Sequence, residues 1–376
     1  MGKIEIDHTV SGSGITLSSD GTSLLLDGTA IGGGGDPDLF AENYDGTSTL
    51  PSATGTNAVV IGKGSSAAGT EAIAMVDGTA DSQDSFAVGG IVQSAIGGYA
   101  IGKSAQVYSQ YGLALGKSSL VTAATDGTAV GASSVAGANS AVAFTKSRAS
   151  GADSLAGAIA NNSTSYGASG ANSIAGGNYN KATATGSLCW GGDSNVAQSG
   201  AKSAVVGGWL NNCSGAYSFI SGGRGNKITS GSYSRAGGLQ ADVNGTGIDT
   251  WSSGRFSSDG DAQTSKRVLI ASTTDATATV LGTQNINSLA ANQVTLPDNS
   301  AFAFHGTIVA RQQAADGTAC AAWKVEGLIR REGSASTTVL VNSATTVLDN
   351  TPNWGMALSA DTTNGCLKIQ ATGAAS

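Results

Sequence analysis

Charge is scarce in this chain. Asp, Glu, Lys and Arg make up 12% of its 376 residues and aromatics only 5%. There are four prolines, four cysteines and two histidines. Each shortage excludes something. The net charge of −7, with no basic run, offers no footing for nucleic acid. No apolar window reaches the length of a membrane-spanning helix. Met1-Gly2-Lys3-Ile4-Glu5-Ile6-Asp7 opens without an apolar stretch of signal-peptide length, so a protein made and assembled in a cytoplasm, without membrane insertion, is expected. Cys189, Cys213, Cys320 and Cys366 lack metal spacing and read as small buried hydrophobes. The absence of Glu/Lys/Ser/Pro-rich tracts argues against disorder. Few prolines suit sheet ladders, because proline cannot donate to one. Helical periodicity appears nowhere.

Glycine is abundant: 56 residues, many of them periodic. Pairs fall at Gly176-Gly177, Gly191-Gly192, Gly207-Gly208, Gly222-Gly223 and Gly237-Gly238, spaced 15, 16, 15 and 15. A serine precedes each pair: Ser173, Ser187, Ser203, Ser218 and Ser234. An earlier dialect has short apolar runs ending in one glycine: Ala58 to Gly62, Phe86 to Gly89, Tyr99 to Gly102, Leu113 to Gly116 and Thr128 to Gly131. A degenerate rung, Ala72-Ile73-Ala74-Met75, fills the gap after Gly62. Looser rungs at Ser140-Ala141-Val142 and Ser154-Leu155-Ala156-Gly157 join the two dialects. A fixed short period is the mark of a solenoid, so residues 57–240 form one repeat array. Alternation sends Ala58 and Val60 to one side and Val59 and Ile61 to the other. A coil of some 14 residues makes two short strands and two turns, with too little volume for a private core; its outward apolar column calls for a symmetric partner. At about 4.8 Å per rung, some 13 rungs give roughly 60 Å.

Residues 1–56 form a separate lead. A hairpin is predicted around Asp20-Gly21, and Gly32 to Gly35 with Asp36-Pro37 marks a linker. The acids Asp36, Asp38, Glu42 and Asp45 do not match a calcium loop and read as a solvated loop. Residues 241–265 are a transition. In residues 266–376 strands lengthen and large side chains return, as in Lys266 to Ile270, Ala301 to His305, Thr307 to Ala310, Ala322 to Val325, Leu328 to Arg330 and Leu367 to Ile369. Many short strands with turn punctuation predict an antiparallel β-sandwich. The fold class is all-β.

Chemical motifs are few. Gly97-Gly98-Tyr99-Ala100-Ile101-Gly102-Lys103-Ser104 spells a P-loop, but no helix follows and Gly-Lys recurs at Gly62-Lys63 and Gly116-Lys117, so it reads as a rung. Calcium-binding glycine repeats need a periodic aspartate, and only Gly191-Gly192-Asp193 supplies one. His8 and His305 assemble with no triad; His305, among Phe302 and Phe304, reads as a packed or edge histidine. Glycan cleavage needs two carboxylates across a groove, and nothing in the sequence pairs Glu42 with another. No catalytic residue, cofactor or metal ligand is assigned, and no enzymatic activity is expected. Trp209, Tyr217, Trp251 and Trp354 are candidate surface-contact aromatics for stacking on sugars; the other reading of each is a rung cap or core filler.

The rungs of residues 57–131 resemble the head repeats of trimeric bacterial autotransporter adhesins, which are left-handed parallel β-rolls with three chains about one axis. Gly215 to Asn226, with Ser-x-x-x-Gly-Gly-x-x-Asn, resembles repeats of bacteriophage tail fibres. Gly306 to Ala314, Ala322 to Gly333 and Leu358 to Gly365 resemble the ends of marine and cyanobacterial phage fibres, in which further strands would follow Gly373-Ala374-Ala375. These resemblances imply a homotrimeric virion fibre of the tail: an attachment segment (1–56) binding other tail or baseplate proteins, a β-roll shaft (57–240), a transition (241–265) and a β-sandwich knob (266–376), mediating adsorption through a host-surface glycan or protein. A non-receptor fibre of capsid, neck or baseplate, a tailspike depolymerase and a bacterial adhesin remain as alternatives.

Overall fold

The computed structural model describes the strands at residues 17–19, 24–26 and 29–31, and residues 50–122, 125–158, 165–283, 293–313 and 317–374. The chain divides into two units, residues 1–140 and 141–376. Both are all-β; among the described residues the only helical turn is the short 3-10 segment Ala335–Thr337. Counted over both units, the parallel ladders make about fourteen turns of a β-solenoid.

In the first unit Leu17–Ser19 pairs antiparallel with Leu24–Leu26, the hairpin expected around Asp20-Gly21. Thr29–Ile31 adds a third antiparallel strand that the sequence reading missed. His8 and the acids Asp36, Asp38, Glu42 and Asp45 lie outside the described residues.

The solenoid of this unit alternates strands of two and three residues. The three-residue strands are Val59–Ile61, Ile73–Met75, Phe86–Val88, Tyr99–Ile101, Leu113–Leu115 and Thr128–Val130, each parallel to the next in register. Their partners across the coil run from Ser52–Ala53 to Val135–Ala136. The degenerate rung is therefore a full rung, and the P-loop lettering spans a strand, Tyr99–Ile101, between two turns.

Pleating decides which side chain enters the coil. The middle residue of each three-residue strand points in: Ala74, Ala87, Ala100, Ala114 and Ala129 are all fully buried. The second residue of each short strand meets them: Ala67, Ala80, Val92, Val107, Val121 and Ala136. This corrects the expectation that one coil is too thin for its own core. The lumen is narrow, and alanine against alanine or valine fills it without a second chain.

The corners use left-handed backbone. Glu71, Asp84, Tyr111, Asp126 and Ser140 have φ between 51 and 59°. Each N–H reaches the rung before, as in Glu71 to Thr56 O (2.8 Å) and Tyr111 to Ile96 O (2.9 Å). Buried serines close the turns: Ser119 and Ser134 donate to Gly116 O and Gly131 O at 2.9 and 3.0 Å.

The second unit repeats the plan from Val142–Phe144 to Ile248–Ser253, with a core of Ala156, Ala175, Cys189, Val205, Ile220 and Ala236 facing Ala168, Ala182, Ala197, Cys213, Ile228 and Val243. The paired glycines have a two-part cause. In the three central pairs both members take positive φ, 75 and 80° at Gly207 and Gly208; in the outer two pairs Gly177 and Gly238 do. A Cβ on Gly208 would also run into Gly223 O of the next rung and Asn211 Nδ2.

Three residues past each of the first four pairs comes a buried asparagine, Asn180, Asn195, Asn211 and Asn226, none exposed; Ala241 holds the place after the fifth. Each side-chain oxygen accepts the backbone N–H of the next rung's equivalent residue. The distances are 2.9 Å (Asn195), 3.0 Å (Asn211), 3.0 Å (Asn226) and 2.9 Å (Ala241). The amides donate to glycine carbonyls, as Asn226 does to Gly222 O and Gly238 O at 2.9 Å. A buried backbone that would otherwise lack partners at these corners is thus satisfied.

Gln263–Arg267 turns back antiparallel onto Ile248–Ser253. The sequence reading had put a strand at Lys266 to Ile270 in the last domain; its residues through Arg267 instead end the solenoid sheet. Beyond it are two antiparallel sheets. One contains Ser300–Arg311, Cys320–Arg331 and Val339–Asp349 in that order. The other contains Thr279–Val280, Val294–Thr295, Gly355–Asp361 and Cys366–Thr372. Several runs read as separate strands are single long ones. The sheets share a core of Leu296, Ile329 and Leu367, with Phe302, Phe304, Leu340 and Ile369 against it. His305 is exposed on the edge strand. Cys189, Cys213 and Cys366 are buried as expected, but Cys320 is exposed at a strand end.

Candidate functional site

The outward residues of the second unit's solenoid stand in columns one rung apart, and the candidate aromatics occupy three of them. Trp209 follows the Gly207-Gly208 corner. Its N–H donates to Gly223 O at 2.9 Å, and isolated bridges link it to Asp193 and Arg224 on either side. The Arg224 guanidinium lies 4.4 Å from the ring centroid, a cation–π contact, and leaves Trp209 44% exposed.

Tyr217 sits at the other turn, with φ 54° and its N–H on Ala201 O at 3.1 Å. Its ring stacks on Tyr233, one rung on, at 5.2 Å with planes 7° apart. Lys202, one rung back, places Nζ 5.4 Å from the Tyr217 centroid. Tyr217 thus has neighbours along the column in both directions and exposes its edge. Tyr233, which the sequence reading passed over, is the more exposed ring. The period itself carries that signal, because residues 217 and 233 hold the same place in successive rungs.

Trp251 projects from the last parallel strand over Gly237, where a Cβ would meet the indole at 2.9 Å. Trp190 stands the same way over Gly176 and was also missed. Glycine at these positions leaves room for an indole from the next rung. Trp354 belongs elsewhere. It is half-buried between Val339–Asp349 and Gly355–Asp361, and its backbone N–H and C=O both pair with the Asn350 side chain at 2.8 Å. Trp209, Tyr217 and Trp251 thus share the solenoid, on separate faces, and Trp354 does not join them.

Charges cluster after the last parallel strand. Asp259 accepts from Lys227 at 2.5 Å and Arg255 at 2.6 Å, and these contacts, Lys227 first, hold its carboxyl below the usual range against the opposing cost of burial. Asp261 receives backbone N–H bonds from Ser258, Ser257 and Phe256, which bring it down to about 2. Burial pushes Asp242 up, against the pull of Lys227. Burial also raises the thiols of Cys189 to about 12 and Cys213 to about 11. Among the described residues no group of three or more His, Cys, Asp and Glu is placed to hold a metal ion, and no helix is long and apolar enough to cross a membrane.

No protein-family model matches the chain, and no curated protein matches it in sequence.

Proposed function

We propose that this protein is a structural virion fibre, a homotrimer of the phage-tail type, that contacts the host surface through the exposed rings at its turns, Trp209 and Tyr217. One observation carries the reading. The coil already encloses a complete core, yet the outward side of its three-residue strands is apolar in register. In the first unit that side presents Val59, Ile73, Phe86, Tyr99 and Leu113 in one line, and Ile61, Met75, Val88, Ile101 and Leu115 in the other. None of these side chains is buried, and Tyr99 is 48% exposed. A contiguous apolar face of this kind marks an interaction surface. A closed ring of identical chains covers it by symmetry, and three is the number implied by the resemblance to adhesin heads and phage fibres. Three copies of the Trp209 and Tyr217 columns give avidity to weak sugar or protein contacts. In this reading residues 1–56 join the particle to other tail or baseplate proteins, and no step requires a cofactor.

Two readouts on one preparation test it. Antibody raised against the chain should label tail appendages of particles from a producing culture, and purified protein should block particle adsorption to susceptible cells. Label on the tail without blocking would favour a non-receptor fibre. No label on particles would refute the virion reading.

A further inference from the structure

The loop joining Ile248–Ser253 to Gln263–Arg267 holds a phenylalanine almost wholly in water. Phe256 is 89% exposed, the most exposed large hydrophobic side chain among the described residues. A side chain so placed adds nothing to its own core. Its backbone, however, is firmly held. The Asp261 carboxylate accepts the N–H groups of Phe256, Ser257 and Ser258 at 2.8, 2.7 and 2.8 Å. Ser252 Oγ donates to Gly254 O or Ala262 O at 2.7 and 2.9 Å, closing the base. Asp259 ties Arg255 to Lys227, two rungs back along the solenoid, and Gly260 N–H reaches Gln240 O at 3.0 Å. A segment ordered in advance loses little freedom on docking.

We infer that loop 254–261 is a clasp that docks Phe256 onto a second copy of this chain. The inference rests on the oligomer proposed above. Two features favour a second copy over another partner. The loop continues directly from Trp251, 61% exposed in the outward column that also holds Trp190 and Val206, so the clasp extends the face that self-association would cover. The tip is also neutral. Phe256, Ser257 and Ser258 carry no charge, Arg255 and Lys227 share Asp259, and the Asp261 carboxylate, tied to the loop's own N–H groups, brings the four charges to zero. About a symmetry axis each group meets copies of itself, so a free charge there would be repelled, while a neutral apolar tip is accepted.

The test is subunit exchange between two differently tagged populations of the full chain, in guanidinium at a concentration where the wild type exchanges measurably. Phe256→Ser should speed exchange at least tenfold and Phe256→Leu should stay near wild type. Asp261→Asn, which leaves the ring but loosens its loop, should fall between. Unchanged far-UV circular dichroism confirms that the variants fold. A wild-type oligomer whose exchange Phe256→Ser leaves unchanged would overturn the clasp alone and point to a different occupant. A wild type that is monomeric at every concentration would overturn the oligomer reading and the clasp with it.

Discussion

Asn211→Ala should be among the most damaging single changes on the solenoid surface or interior. The wild-type amide donates to Gly223 O at 3.0 Å, Asn195 Oδ1 at 3.1 Å and Gly207 O at 3.3 Å. Its oxygen accepts Asn226 N–H at 3.0 Å and Asn226 Nδ2 at 3.1 Å. Some of these groups keep partners when it is removed: Gly223 O retains Trp209 N–H, and the Asn226 amide retains Gly222 O and Gly238 O. The Asn226 N–H does not, and it is buried. One stranded buried donor costs about 1–3 kcal/mol. A weakened Gly207 carbonyl and the vacated volume add to this, for a total of roughly 3–5 kcal/mol. Asn212, next in sequence but half-exposed, should tolerate alanine within about 0.5 kcal/mol. Native-state amide exchange reads the effect locally. In Asn211→Ala, protection should fall at Asn226 and its neighbouring rungs and survive in distant ones, since each repeat leans mainly on its neighbours. Equal losses for Asn211→Ala and Asn212→Ala, or a loss below about 1 kcal/mol for the former, would refute the argument.

Other outcomes follow from the same geometry. Ala114→Leu enlarges a fully buried position between Ala100 and Ala129 and should destabilise by about 1–3 kcal/mol in denaturant titration, whereas Leu115→Ala on the outward face should leave the coil intact and weaken association instead. The Asp261 carboxyl is depressed to about 2, below its unfolded value of about 3.9, so its contribution is present above pH 4 and is lost as pH falls through about 2. Fluorescence of a label at Ser257→Cys should report loosening of the loop in that acid window and none between pH 5 and 8. With a thiol reagent at pH 8 the native chain should show one reactive cysteine, Cys320, and the denatured chain all four.

The array was readable because corners need glycine and strands need alternation, and both leave a period in the sequence. The same period carried the stacking of Tyr217 on Tyr233 and of Arg224 on Trp209, which needed only alignment of successive rungs. Core size was not readable. Ala100 and Val107 reveal their facing columns only once the sheet separation is known, so a self-sufficient coil was mistaken for one that lacks a core. Asn226 ends the Ser-x-x-x-Gly-Gly-x-x-Asn repeat and Asn211 holds the same place one rung earlier, but their role depends on burial, which spacing does not give. Phe256 belongs to no repeat, and its exposure comes from a loop closed by Asp261 five residues later. In the last domain, Gly306 between Phe304 and Ile308 looked like a break; the antiparallel pairing with Val325 carries the strand through it.

The central claim is that the apolar outward columns are covered by two further copies of the chain. Light scattering on the full-length native protein tests this most directly. The account predicts a mass three times that of one chain, unchanged on dilution through the micromolar range. A mass equal to one chain at all concentrations would contradict it.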